Sequence, residues 1–260
     1  MSEVGEAVIL ASGVSRRLRA VTGGLPKCFY SVGGAPLMQY PALAIARGAG
    51  VRRFDVVVPA SCGGYCGEVV EGVLNGFEVC VTHNDRVEFG NAYSLMLAEG
   101  CVRGDRFIVS VCDSLYTPAA VEALVRRALE ASDADVVVGG SRCFKYVDVG
   151  EATKIRLGAE GEVAAIGKGV REFDLIDIGL FVMRTTVFTL KDRMGWGSRE
   201  LSIFDLLTEA IRSGLKVVAA DLGEEPWTEV DTVEDLEDLL RGRRSEVLKA
   251  VAGALGLGRR

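Results

Sequence analysis

Apolar positions gather in seven runs short enough to be strands, at residues 4–10, 54–59, 77–82, 106–112, 135–139, 176–183 and 216–221. Segments with helical spacing lie between most of them, at about 36–49, 65–74, 91–100, 118–131 and 200–213. Pro118 suits a first helical turn, and Gly48, Gly50, Gly76 and Gly214 stand where helices should stop. Strands that are apolar throughout and alternate with helices predict an α/β fold of three layers. Its central sheet should be mainly parallel, with helices on both faces. Such sheets bind ligands outside the carboxyl ends of their strands, often where the strand order switches. The loop after the first strand is therefore the first candidate.

Between Arg142 and Asp174 the pattern shifts to short, charged, Gly-punctuated pieces. Glu160-Gly161 reads as a hairpin turn with residues 152–157 and 162–166 as arms, a small antiparallel insertion over the ligand edge. Residues 231–255 read as amphipathic helix. No repeat, low-complexity tract or long linker divides the chain, so one domain over 1–260 is expected.

Composition narrows the chemistry. With 260 residues and 49% hydrophobic content the chain can bury a large core, and a net charge of -6 argues against a nucleic-acid partner. The start, Met1-Ser2-Glu3, is acidic, and no run approaches the ~20 apolar residues of a membrane span. A soluble, cytoplasmic protein is expected. Seven scattered cysteines, an odd number, read as thiols in a reducing compartment. Cys62-x-x-x-Cys66 has the spacing for a bridge or a metal but no second pair beside it, and reads as two more free thiols. His83 is the only histidine, which removes Ser-His-Asp, Cys-His and multi-histidine metal sites. One Gln and three Asn suggest a thermophile.

The loop after the first strand carries Ala11, Ser12, Gly13 and Ser15, then Arg16, Arg17 and Arg19, and then Pro26-Lys27. Small residues let backbone N–H groups approach phosphate oxygens, and the cations that follow neutralise them. The same residues would also suit a solvated surface loop. The loop is neither a Walker A sequence nor a dinucleotide G-x-G-x-x-G, which disfavours a Rossmann oxidoreductase.

Taken together, residues 10–18, Pro26-Lys27 and Gly33-Gly34-Ala35-Pro36-Leu37 resemble the signature of sugar-phosphate nucleotidyltransferases, L-A-A-G-x-G-x-R-L, then P-K, then G-x-P-L. Ser15 stands where that signature has its second glycine. "NAYSL" at 91–95, "VDVGEATK" at 147–154, "IGK" at 166–168 and "DIGLF" at 177–181 are similar to the archaeal CTP:inositol-1-phosphate cytidylyltransferases. Ile178 departs from their usual Thr. The resemblance implies nucleotide contacts at Leu10, Ala11, Ser12, Gly13, Arg17, Lys27, Asn91 and Ser94. It implies acceptor contacts at Lys168, Lys154, Glu151, Asp177 and Gly179, with Arg17, Lys27 and Lys168 catalytic. Asp113 ends an apolar run, and Glu229 and Asp231 are two apart on an extended piece, so two or three carboxylates could hold one Mg²⁺.

The expected reaction joins CTP and inositol 1-phosphate, giving CDP-inositol and pyrophosphate. A sugar 1-phosphate or phosphocholine acceptor, or a non-catalytic nucleotide-binding module, are the alternatives. In some relatives a membrane synthase domain follows. The present sequence stops without one, so a stand-alone transferase serving a separate membrane synthase is expected.

Overall fold

The computed structural model describes residues 4–13 and 15–257. The acidic start at 1–3 lies outside them, as does Val14 of the signature. The strands are β1 (Glu6–Leu10), β2 (Ser31–Val32), β3 (Ala35–Pro36), β4 (Arg53–Pro59), β5 (Glu78–Asn84), β6 (Arg106–Val111), β7 (Ser114–Leu115), β8 (Val136–Ser141), β9 (Lys154–Leu157), β10 (Val163–Gly167), β11 (Leu175–Arg184), β12 (Val217–Asp221) and β13 (Thr228–Glu229). The helices are α1 (Arg19–Thr22), α2 (Gln39–Ala49), α3 (Gly63–Val73), α4 (Asn91–Leu97), α5 (Pro118–Glu130), α6 (Ile203–Arg212), α7 (Val233–Arg241) and α8 (Ser245–Ala254).

The main sheet runs β10-β9-β11-β6-β1-β4-β5, with β8 along the other edge of β11 and β12 beyond it. The pairs β1–β4, β1–β6, β4–β5 and β8–β12 are parallel. β11 is antiparallel to both β6 and β8, so the sheet is mixed, with its parallel character concentrated around β1. β1 leads onward to β4 on one side and has β6 on the other, which makes its carboxyl end a switch point. Side-chain alternation divides the core between the two faces. Ile9, Phe54 and Ile108 pack with Tyr40, Ile45, Leu124 and Val251. Val8, Val57 and Val109 pack on the opposite face with Leu95, Phe188 and Leu206.

Four expectations change. Residues 231–255 form two helices, because the first ends at Gly242 and Arg244 begins the second. Gly48 lies inside α2, where a Cβ would come within 2.4 Å of the Pro118 carbonyl oxygen, so its role is the close approach to α5 and Gly50 ends the helix. A 3₁₀ segment, Thr185–Arg193, has no counterpart in the pattern reading. Most cysteines are not free thiols: Cys62–Cys66 and Cys80–Cys101 are disulfides, leaving Cys28 and Cys112 buried and Cys143 half-buried. The second bridge depends on the end of the α4 segment folding back beside β5, which spacing alone does not reveal.

Candidate active site

The loop after β1 stays tied to the sheet before it turns. Ala11 N–H donates to Val57 O at 2.8 Å, and the buried Ser12 hydroxyl lies 2.6 Å from that of Ser94 on α4. Asn84, ending β5, donates to both hydroxyls at 3.3 and 3.0 Å. This buried network holds the loop in one position.

Ser15, in the signature's second glycine position, has φ 50° and ψ 36°. Among the described residues it is the only non-glycine with positive φ. Its hydroxyl accepts the Lys27 N–H at 2.8 Å and donates to Gly13 O at 3.4 Å, compensating for the strained backbone and fastening the loop to Lys27. Ser15→Ala keeps the strain and loses those bonds, so it should destabilise the fold by about 1 kcal/mol. Ser15→Gly also relieves roughly 1 kcal/mol of left-handed strain and should be nearly neutral. Thermal unfolding of both variants checks the order. Equal losses would contradict it.

Asp113 comes two residues after the end of β6, where a parallel strand delivers a side chain to the ligand edge. β7 then pairs antiparallel with β13, matching Glu229 with Ser114, and Val230 N–H donates to Asp113 O at 3.1 Å. That pairing brings the two carboxylate segments together. The Lys27 ammonium sits between them, in contact with Asp113, 2.5 Å from Asp231 and 3.2 Å from Val230 O. Burial works against its charge, but Asp113 and Asp231 outweigh burial and hold its pKa above the ordinary lysine value. Burial, reinforced by Asp231 and Asp113, pushes Glu229 up to about 8. Burial likewise lifts Asp177 to about 7, although Gly179 N–H donates to it at 2.9 Å.

A bulge in β11 aims Asp177 at the same space. Gly179 there has φ 72°, and a Cβ would fall 2.4 Å from Val111 Cγ2, so both conformation and contact require glycine. The opposite wall is zipped together where Leu201 N–H donates to Phe89 O, Ala92 N–H to Leu201 O, and Ile203 N–H to the Asn91 side chain.

A cavity of about 1050 Å³ results. Leu10, Ser12, Gly13, Arg17, Lys27, Asn91, Asp113, Glu151, Lys168, Asp177, Gly179, Glu229 and Asp231 all line it. Three expected residues stand behind the wall. Ala11 is spent on the sheet, and Ser94 acts through Ser12. Lys154 is buried, donating to the carbonyls of Gly150, Ala152 and Lys168 at 3.4, 3.5 and 3.1 Å. It fastens the Lys168 backbone instead of reaching the cavity. The three expected metal ligands share the cavity without forming a cluster: among the described residues, their oxygens are not gathered within 4.8 Å of one another. Lys27 occupies the space between two of them.

Residues the pattern reading missed include Asn84, Arg199, Asp205 and Arg244. Arg199 and Asp205 line the cavity as a pair 2.6 Å apart. Arg244, at the start of α8, donates to Glu229 O at 3.0 Å and pairs with Asp235 at 2.7 Å. Asp235 in turn accepts the N–H groups of Asp231 and Thr232, so Arg244 braces the whole carboxylate segment. Asp205 and Asp235 each left a local signal, three residues after the Ser202 and Thr232 caps.

A family model for the MobA-like NTP transferase domain matches residues 7–152, which span β1, Lys27 and Asp113. The chain belongs to this family. Among solved structures it is similar to the inositol-1-phosphate CTP transferase from T. maritima, at 34% identity and TM-score 0.86, covering 97% of this chain and 98% of that one. The structure of HddC from Yersinia pseudotuberculosis shares the fold at TM-score 0.68 and 18% identity, over 90% and 96% of the two chains. The bifunctional IPC transferase and DIPP synthase of Archaeoglobus fulgidus is 33% identical over 96% of this NTP transferase chain and 45% of its own length. Its counterpart in Rubrobacter xylanophilus is 35% identical over 88% and 50%. This family member thus spans about half the length of the curated relatives it matches. No helix among its described residues is long and apolar enough to cross a membrane.

Proposed function

We propose that this chain transfers CMP from CTP to inositol 1-phosphate, giving CDP-inositol and pyrophosphate. The observation that carries this reading is the arrangement around Lys27. The small residues Ser12 and Gly13, with Arg17, line the same cavity as Lys27, Lys168, Glu151 and Asp177. The likeness to the T. maritima transferase, over nearly the full length of both chains, supports the acceptor.

No general base is required, since a phosphate monoester is already an oxyanion near neutral pH. Its oxygen attacks the α-phosphorus of CTP, the bond from that phosphorus to the bridging oxygen breaks, and pyrophosphate leaves. The residues orient two polyanions and balance their charge. Backbone groups of Ser12 and Gly13 receive the triphosphate, with Arg17 and Lys27 neutralising the β- and γ-phosphates. Lys168, exposed and only loosely paired with Glu151 at 3.5 Å, is free to meet the acceptor phosphate, and Asp177 and Glu151 accept from ring hydroxyls.

The donor set fits a divalent cation. Asp113, Asp231 and Glu229 offer hard oxygens, and Lys27 bridges Asp113 and Asp231; burial first, and then the negative charge of Asp231 and Asp113, raises Glu229. Asp113 and Asp231 would hold Mg²⁺, with Glu229 beside them. The ion would supply positive charge to the phosphates.

Acceptor competition at fixed CTP, read by pyrophosphate release, tests the substrate. Inositol 1-phosphate should be preferred, and Lys168→Ala should weaken its use by about tenfold or more while CTP binding stays nearly intact. Preference for glucose 1-phosphate or phosphocholine would overturn the acceptor and leave nucleotidyl transfer standing. Absence of turnover with every acceptor, despite CTP binding, would indicate a non-catalytic module.

A further inference from the structure

A second chemical cluster lies outside the cavity, at the β4–β5 edge. Asp55 on β4 stands opposite Cys80 on β5, and Cys80 is bonded to Cys101, just after the α4 segment. An oxygen of Asp55 and both sulfurs lie within 4.8 Å of one another. Asp55 is only 2% exposed, whereas both cysteines are half-buried. Its Oδ1 accepts from the Thr82 hydroxyl at 2.9 Å, and that hydroxyl is 3.5 Å from Cys101 Sγ. Its Oδ2 is buried without any partner.

The neighbouring charges are engaged elsewhere. Arg53 pairs with Glu6 on β1 at 2.6 Å and Glu78 on β5 at 3.1 Å, and also donates to Cys101 O. Arg103 pairs with Glu78, and its N–H donates to Glu6. Burial lifts Asp55 to about 7 against the Thr82 bond and the charge of Arg53, with Glu6 adding to the rise. A buried carboxyl with one unpartnered oxygen is accounted for if that oxygen carries a proton, and the adjacent sulfurs are what could use it.

We propose that Cys80 and Cys101 form a reversible thiol–disulfide site, with Asp55 as the acid that protonates the departing sulfur and a dithiol as the exchange partner. A thiolate of the dithiol attacks Cys80 Sγ, the S–S bond breaks, and the electron pair leaves on Cys101 Sγ. That sulfur takes the Asp55 proton directly, while the Thr82 hydroxyl stays bonded to Oδ1. The second thiolate of the dithiol resolves the mixed disulfide, releasing Cys80 to be protonated from water. The protein disulfide gains two electrons, the dithiol becomes a disulfide, and Asp55 recovers its proton from solvent. Opening releases the end of a segment whose first turn carries Asn91 at the cavity and Ser94 behind its wall.

Cys62–Cys66 is an internal control, because among the described residues no carboxylate is gathered with both of its sulfurs. The test is opening of each bridge by dithiothreitol in the full chain prepared without reductant, followed by alkylation and peptide mapping. Rates are expressed per thiolate from about pH 6 to about pH 8.5. The Cys80–Cys101 rate constant should fall about tenfold as pH rises through 7, because the acid form of Asp55 is lost, while that of Cys62–Cys66 stays flat. Asp55→Asn and Asp55→Ser should make the first profile flat and slow, with the control bridge reporting that each variant is folded. A flat profile in the unaltered protein overturns the proposal without any variant. So does direct alkylation of Cys80 and Cys101 in unreduced protein, or a profile that survives in a folded Asp55 variant.

Discussion

Lys27→Ala is expected to lower turnover by ~10²-fold or more, through loss of charge stabilisation at the β- and γ-phosphates. The same substitution strands Asp113, Asp231 and Glu229 without the ammonium that now bridges two of them. Lys27 and Asp113 are 13% and 15% exposed at the side chain, so theirs is a buried pair. Removing one partner of such a pair costs roughly 3 kcal/mol or more. Melting in EDTA should therefore drop well below that of the unaltered protein, and millimolar Mg²⁺ should restore much of the loss by replacing the missing charge. Turnover should remain low even then, because a cation on the carboxylates does not reproduce an ammonium that reaches the phosphates. Near-normal turnover in folded Lys27→Ala would remove Lys27 from the chemistry. A melting temperature indifferent to Mg²⁺ would show that the carboxylates do not gather a cation.

Asp113→Asn should show the opposite combination. Lys27 keeps Asp231 as a partner, so the metal-free fold should lose less stability than in Lys27→Ala. The amide is a much poorer ligand for a hard cation, so half-maximal activity should require at least about tenfold more Mg²⁺. At saturating metal, turnover should still fall by ~10²-fold, because the charge on the phosphates is less firmly held. Activity measured against Mg²⁺ at fixed CTP separates the two effects. An unchanged Mg²⁺ dependence would place the metal elsewhere in the cavity.

The features of the fold that were legible in the sequence have short-range causes. The alternation of apolar runs and helical segments depends on neighbours a few residues apart, and it located the parallel group around β1 and the layers on either side. That the loop after β1 and the Lys27 that follows line the cavity was legible because the loop is one continuous stretch, whose composition describes its shape. The insertion was legible for a similar reason, as Glu160-Gly161 marks the hairpin between β9 and β10. Ser15 was readable as a departure, and it takes a left-handed backbone that glycine would adopt without strain.

What the sequence left open depends on contacts between distant segments. An apolar strand reads the same in either direction, so nothing local marks β11 as antiparallel to β6 and β8. Lys154 and Lys168 look alike within one insertion, yet three backbone carbonyls claim the first while the second lines the cavity. Cys80 and Cys101 meet only because the chain after α4 returns to the sheet edge. The sequence alone determined which residues can ionise, which stretches are buried, and that a small-residue loop with cations follows the first strand. Tertiary structure decided that the two-residue strands β7 and β13 would pair, bringing Asp113 and Asp231 to Lys27. Two residues carry too little pattern to predict their partner, so that pairing is selected by the packed sheet around it.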